Sequence, residues 1–96
     1  MALLDLLGRR WALRILWELR QEALNFRELR RRCDSMSPTV LNDRLRELRE
    51  AGVVELMPEA GYRLTSEGRK LTAALAPLNG WARRWARREA KASALC

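Results

Sequence analysis

The stretch DSMSPTVLNDRLRELREAGVVELMPEAGYRL, residues 34–64, decides the fold. Asp34-Ser35-Met36 reads as a turn. Ser37-Pro38 then opens a helix. A serine hydroxyl takes up a free N–H of the first turn, and proline suits the first helical position, where its missing N–H would have had no partner. Leu41, Leu45 and Leu48 recur at helical spacing and mark one buried stripe. The helix runs through Ala51, and Gly52 supplies the stop. Val53 to Met57 and Tyr62 to Leu64 alternate as strands do, and Pro58-Glu59-Ala60-Gly61 joins them as a hairpin turn.

Upstream, Phe26, Leu29 and Cys33 set a helical stripe through Arg27 to Cys33, preceded by a short extended piece, Leu24 to Phe26. Arg9 to about Gln21 reads as a helix with two apolar stripes. Ala12, Ile15, Leu16 and Leu19 face the domain's own core, while Leu13 and Trp17 form a second stripe that needs another surface to pack against. Leu3 to Leu7 is a short apolar segment stopped by Gly8. Downstream, Thr65 caps a last helical stretch in which Gly68 weakens the first turn and Leu71, Leu75 and Leu78 mark the inner side. Pro77 is expected to kink or break that helix near residue 76. Trp81 and Trp85 continue an apolar face opposite Arg83, Arg84, Arg87 and Arg88. The order is helix, short strand, helix, turn, helix, hairpin, helix. This is a mostly α chain with one small β-hairpin (α+β), a winged helix-turn-helix in a single domain over 1–96. Its recognition helix falls at about 37–51, its short wing at about 53–64 and its C-terminal dimerisation helices at about 66–90.

A chain of 96 residues buries a modest core, about two-thirds of its unfolded surface. Hydrophobic and charged fractions of 48% and 32% fit a globular protein rather than a disordered one. Nineteen Lys plus Arg against twelve Asp plus Glu leave a net +7, and 17 of the nineteen are arginine, since Lys70 and Lys91 are the lysines. Codon usage in a GC-rich genome is one source of the excess of Arg over Lys, beside the planar fork that suits phosphate and guanine edges, but it does not account for the positive sign, which favours polyanionic partners. Two cysteines without histidine cannot build an all-protein zinc site, and no cofactor is expected. No apolar run reaches the roughly 18 residues of a membrane span, and the N-terminus is too short and acidic for a signal peptide. A cytoplasmic protein without a membrane partner is expected.

The second helix of a helix-turn-helix enters the major groove with its N-terminal residues near base edges. With the leucine stripe inward, Thr39, Asp43, Arg46 and Glu50 stand furthest from the core. Asn42 and Arg49 flank them on one side, Val40 and Arg44 on the other. Ser37, Thr39, Asn42, Asp43, Arg44 and Arg46 are the candidate reading set; Asp43 either accepts from a cytosine amine or pairs with Arg44 or Arg46. Arg27, Arg30, Arg31 and Arg32 surround the preceding helix as phosphate holders, and Arg63 near the hairpin reaches a phosphate or the minor groove. The wing is short and carries Glu59, so it contributes little. Double-stranded DNA is the expected partner; the alternative is a protein- or RNA-interaction module. No nucleophile, base or phosphate loop at a recognisable spacing points to an enzyme. Cys33 reads as a core thiol, and Cys96 carries no assigned role. Leu13, Trp17, Trp81 and Trp85 read as a dimer core, or as a tryptophan-lined pocket at the dimer centre for a flat apolar effector.

The stretches LDLLGRRWALRILWEL, LNFRELRRR, MSPTVLNDRLRELREAGVVE and GYRLTSEGRKL together resemble the HxlR-type winged helix-turn-helix regulators across roughly residues 3–85. The resemblance implies a bacterial repressor or activator. It also implies a homodimer built from the N- and C-terminal helices, for which Leu3, Leu4, Leu7, Leu13, Trp17, Leu78, Trp81 and Trp85 are the candidates. Such a dimer binds a pseudo-palindromic operator, and the family's recognition motif corresponds to Ser37 through Arg44. Many members carry a sensing cysteine in an arm ahead of the LDLLG-like segment. None precedes it here, so sensing by such a cysteine is not expected.

Overall fold

The computed structural model describes residues 8–95. Its elements follow in the order α1 (Ala12–Glu18), α2 (Phe26–Arg32), α3 (Pro38–Glu50), β1 (Val54–Met57), β2 (Gly61–Leu64) and α4 (Ser66–Leu95). This is a mostly helical winged helix-turn-helix with one antiparallel hairpin. The core stripes lie where their spacing puts them. Ala12, Ile15, Leu16 and Leu19 of α1 and its end are buried, as are Leu29, Cys33, Leu41, Leu45 and Leu48. Val53, Val54 and Leu64 close the same cluster from the hairpin side. Each such leucine stabilises the fold by roughly 1.5–3 kcal/mol.

The turn between α2 and α3 is built on two non-glycine residues in the left-handed region, Asp34 (φ 58°) and Ser35 (φ 54°). The Ser35 N–H donates to the Arg30 carbonyl at 3.0 Å. Arg30 Nε donates to the Met36 carbonyl at 2.7 Å, so this side chain clasps the turn from α2. The chain then enters α3 with Ser37 Oγ accepting from the Val40 N–H at 3.4 Å.

In the hairpin Val54 pairs with Leu64, Glu55 with Arg63, Leu56 with Tyr62 and Met57 with Gly61. The expected extended piece reduces to Leu24, which pairs with Tyr62 on the outer edge of β2 through reciprocal bonds of 2.9 and 2.8 Å. That approach requires Gly61: its φ is 94°, and a Cβ there would stand 2.5 Å from the Leu24 carbonyl oxygen.

Three expectations need correction. The first helix is shorter than Arg9 to Gln21, because Trp11 takes φ 77° and offers no side-chain cap. Pro77 does not end the last helix, which continues to Leu95 with Pro77 inside it. The inner stripe of α4 fades outward: Leu71 and Leu75 are half-buried, whereas Leu78 is exposed. Past Leu75 the helix runs beyond the body that would have covered it.

Candidate nucleic-acid interface

Pro38, Thr39, Asn42, Arg46, Arg49 and Glu50 are the exposed residues along the length of α3, away from the leucine stripe. Asp43 is half-buried and pairs with Arg46 at 3.5 Å. The far flank is occupied. Val40 packs against the core cluster. Arg44 Nε donates to the Arg10 carbonyl at 3.1 Å, and its Nη1 pairs with Glu47 at 2.7 Å, which leaves the Arg44 side chain 18% exposed. The segment entering α1 therefore covers the Val40–Arg44 side. The open face is displaced towards Asn42 and Arg49, a flank position that the leucine spacing alone did not single out. Arg46 and Arg49 border an open groove that continues onto β1 at Val54, Glu55 and Leu56.

The arginines of α2 divide into three kinds. Arg27 is exposed and enters no ion pair among the described residues. Arg30 is half-buried and committed to the turn. Arg31 and Arg32 both bond to Glu28, and Arg32 also pairs with Glu22 at 2.8 Å. Hydrogen bonds from Arg31, then Arg32, pull the Glu28 carboxyl down to about 2. Asn25 accepts from the Glu28 N–H at 2.8 Å and so caps the helix that aligns these groups. Asn25, Arg27, Arg31 and Ser35 sit together around one shallow depression. On the wing, Arg63 is exposed but its Nε is tied to Glu55 at 2.6 Å, its partner across the ladder.

The candidate dimer residues fall into two groups. Leu13, Trp17 and Leu78 meet in one apolar groove between α1 and α4, completed by Leu16, Leu75 and Ala82. Trp81 and Trp85 stand further along α4, rings stacked at 6.1 Å and 9°. Leu3, Leu4 and Leu7 lie outside the described residues. Cys33 is fully buried, and burial pushes its thiol up to about 11 against the lowering effect of Arg14. Among the described residues no helix is long and apolar enough to cross a membrane.

A model of the HxlR-like helix-turn-helix proteins matches residues 6–90. The chain belongs to the HxlR-like helix-turn-helix family. Like other members of that family it is a DNA-binding transcriptional regulator. Among its relatives, the HTH-type transcriptional regulator YvaP of Bacillus subtilis is 33% identical over 87 residues, covering 84% of this chain and 81% of YvaP. The chain spans about half the length (52%) of its mycobacterial relatives. The fold is similar to that of a possible HxlR family transcriptional factor from Thermoplasma volcanium, with TM-score 0.81 and 28% identity over 88% of this chain and 81% of that one. It is also similar to quinone-bound YodB of B. subtilis, with TM-score 0.78 and 30% identity over 86% and 92%.

Proposed function

We propose that this HxlR-like regulator binds a pseudo-palindromic operator as a homodimer in the cytoplasm, without catalysis or cofactor. Reading is done by Thr39, Asn42 and Arg46, with Arg49 beside them. The observation that carries the proposal is their joint exposure on one face of a capped helix whose other side is locked into the core. Arg46 offers the planar fork that pairs with a guanine edge, and Asn42 suits adenine. Arg27, Arg31 and Arg63 hold phosphates, and Ser37 orients the helix start. Asp43 tempers Arg46. Arg30 and Arg44 act from behind, by fixing the turn and seating α3 on the body.

The test is binding-site selection from random duplexes with the purified protein, which reads half-site and spacing together. Arg46→Ala should change the selected sequence and cost about 1–3 kcal/mol on the preferred site. Arg27→Ala should weaken all duplexes alike and flatten the salt dependence. Selection of no sequence, or selection of RNA over duplex, would instead favour an interaction module.

A second reading concerns regulation. A flat apolar effector fits the groove of Leu13, Leu16, Trp17, Leu75 and Leu78, which has about 320 Å³ of space. YodB, whose fold is similar, is described as quinone-bound.

A further inference from the structure

Trp17 also walls a second cleft, further along the same α1–α4 seam and separated from the Leu13–Leu78 groove by Trp17 and Thr72, which border both. Trp17, Arg20, Leu64, Arg69, Ala73 and Ala76 line this space of about 430 Å³, within the range of small-molecule sites. Its chemistry is unlike that of the groove. Two guanidinium groups border it, and neither Arg20 nor Arg69 enters any ion pair among the described residues, although nine such pairs form elsewhere. Both are nevertheless held in place. Arg20 Nη1 donates to the Trp17 carbonyl at 2.8 Å, and Arg69 Nη1 donates to the Leu64 carbonyl at 3.0 Å. An arginine has five donors, so most of each fork stays available. The Arg20 guanidinium carbon lies 3.8 Å from the centroid of the Trp17 ring, a close cation–π contact, and the Arg20 side chain is exposed to solvent. Leu64, Ala73 and Ala76 add apolar wall.

We propose that this cleft is a binding site for a small planar carboxylate with an aromatic or similarly flat apolar body. The carboxylate bridges the forks of Arg20 and Arg69, where charge-assisted and bidentate bonds are strongest. The flat body stacks on the Arg20–Trp17 pair and lies against the alanines. A DNA phosphate would use the two charges but not the concave apolar wall, so a small molecule accounts for more of the surface. The site does not depend on operator recognition and is tested apart from it.

The experiment is calorimetric titration of the intact protein with 2-naphthoate and with its uncharged amide, 2-naphthamide. Naphthoate should bind saturably with a dissociation constant below roughly 1 mM, and naphthamide should bind at least about tenfold more weakly, since it lacks the charge that the forks recognise. Arg20→Gln and Arg69→Gln are surface changes whose folding is checked by thermal melting. Each should weaken naphthoate about tenfold or more and leave naphthamide unchanged. Leu78→Ala, which alters the neighbouring groove and the outer arm of α4 but no residue of this cleft, should leave naphthoate binding as it was. Equal binding of acid and amide, or loss in Leu78→Ala but not in the arginine variants, overturns the assignment. So does absence of saturable binding by naphthoate, benzoate and indole-3-acetate alike. If the arginine variants lose duplex affinity uniformly while naphthoate binding stays intact, these charges belong to DNA and the proposal fails.

Discussion

Gly68 leaves no room for a side chain. A Cβ there would lie 2.0 Å from the Val53 carbonyl oxygen and 3.3 Å from Leu64 Cβ. The same carbonyl accepts from the Thr65 N–H at 3.0 Å, so it cannot move aside without loosening the base of the wing. Gly68→Ala should therefore destabilise the fold by about 1–3 kcal/mol, the usual cost of overpacking, despite alanine's better helix propensity. An undiminished midpoint in denaturant would show that the hairpin and α4 can separate freely. Glu28 poses a different single-residue question, because it neutralises arginines beside the proposed phosphate path. Its carboxyl is held at about 2, below the ordinary 4.5. A depressed carboxylate contributes its stability fully above the unfolded value and loses it as pH falls from there through about 2. At neutral pH, Glu28→Gln should raise affinity for any duplex and steepen log K against log salt by up to about 1–2. An unchanged slope would mean that Arg31 and Arg32 make no phosphate contact. Cys33 has the opposite sign: its thiol is pushed up to about 11 from 9.0, so this contribution to stability is complete below pH 9 and disappears as pH rises through 11. Alkylation of Cys33 at neutral pH should accordingly require unfolding.

At the scale of elements, α4 is the one whose sequence says least about its course. Proline removes an N–H, so the Ala73 carbonyl loses its usual helical partner at residue 77, and such a site costs about 3 kcal/mol in a helix interior. Pro77 is exposed, so its ring contributes little packing. Pro77→Ala should restore the bond, raise helical ellipticity and stabilise the protein by about 1–3 kcal/mol; a destabilised variant would reveal that the ring shapes the helix for a partner. The core stripes of α1 and α3 were legible because Ala12, Ile15, Leu16 and Leu19, and likewise Leu41, Leu45 and Leu48, recur at helical spacing and so define an inward side. The turn was legible in Ser37-Pro38, whose capping chemistry is local. The helix beyond Pro77 was not, because a break is only the local preference. Nor was the inward turn of Arg44, which depends on the carbonyl of Arg10, 34 residues earlier. Gly68 was misread as a flaw for the same reason: the Val53 carbonyl that demands it belongs to another element. On the proposed reading face, side-chain type and spacing could be read from the sequence, whereas the covered flank and the exposure of Arg49 needed the tertiary arrangement.

The whole molecule is longer than its mass requires. A chain of this size in a rounded domain has a radius of gyration of about 12–13 Å, yet here it is 15.0 Å, with extents of 52 × 27 × 24 Å. Thirty residues of α4 at 1.5 Å each span about 45 Å, which accounts for most of the long axis. The outer part carries Leu78, Trp81 and Trp85, each 52–53% exposed, and Leu13 at 45% lies across the groove from Leu78. Large apolar side chains clustered along one projecting arm mark an interaction surface rather than scattered exposure, and aromatic anchors of this kind dominate interface energies. In the proposed homodimer a second copy would supply what the arm lacks and would give operator binding its symmetry. Sedimentation at micromolar concentration should then give about twice the 11.2 kDa chain mass, with a melting temperature that rises with concentration because association stabilises the folded state. The double variant Trp81→Ala/Trp85→Ala should sediment as one chain and lose the concentration dependence. It should also bind a full operator no more tightly than a single half-site, since the gain from linking two reading helices about 34 Å apart would be gone. A wild-type monomer at tens of micromolar, or a variant that still pairs, would place the contact elsewhere and leave the projecting tryptophans without that role.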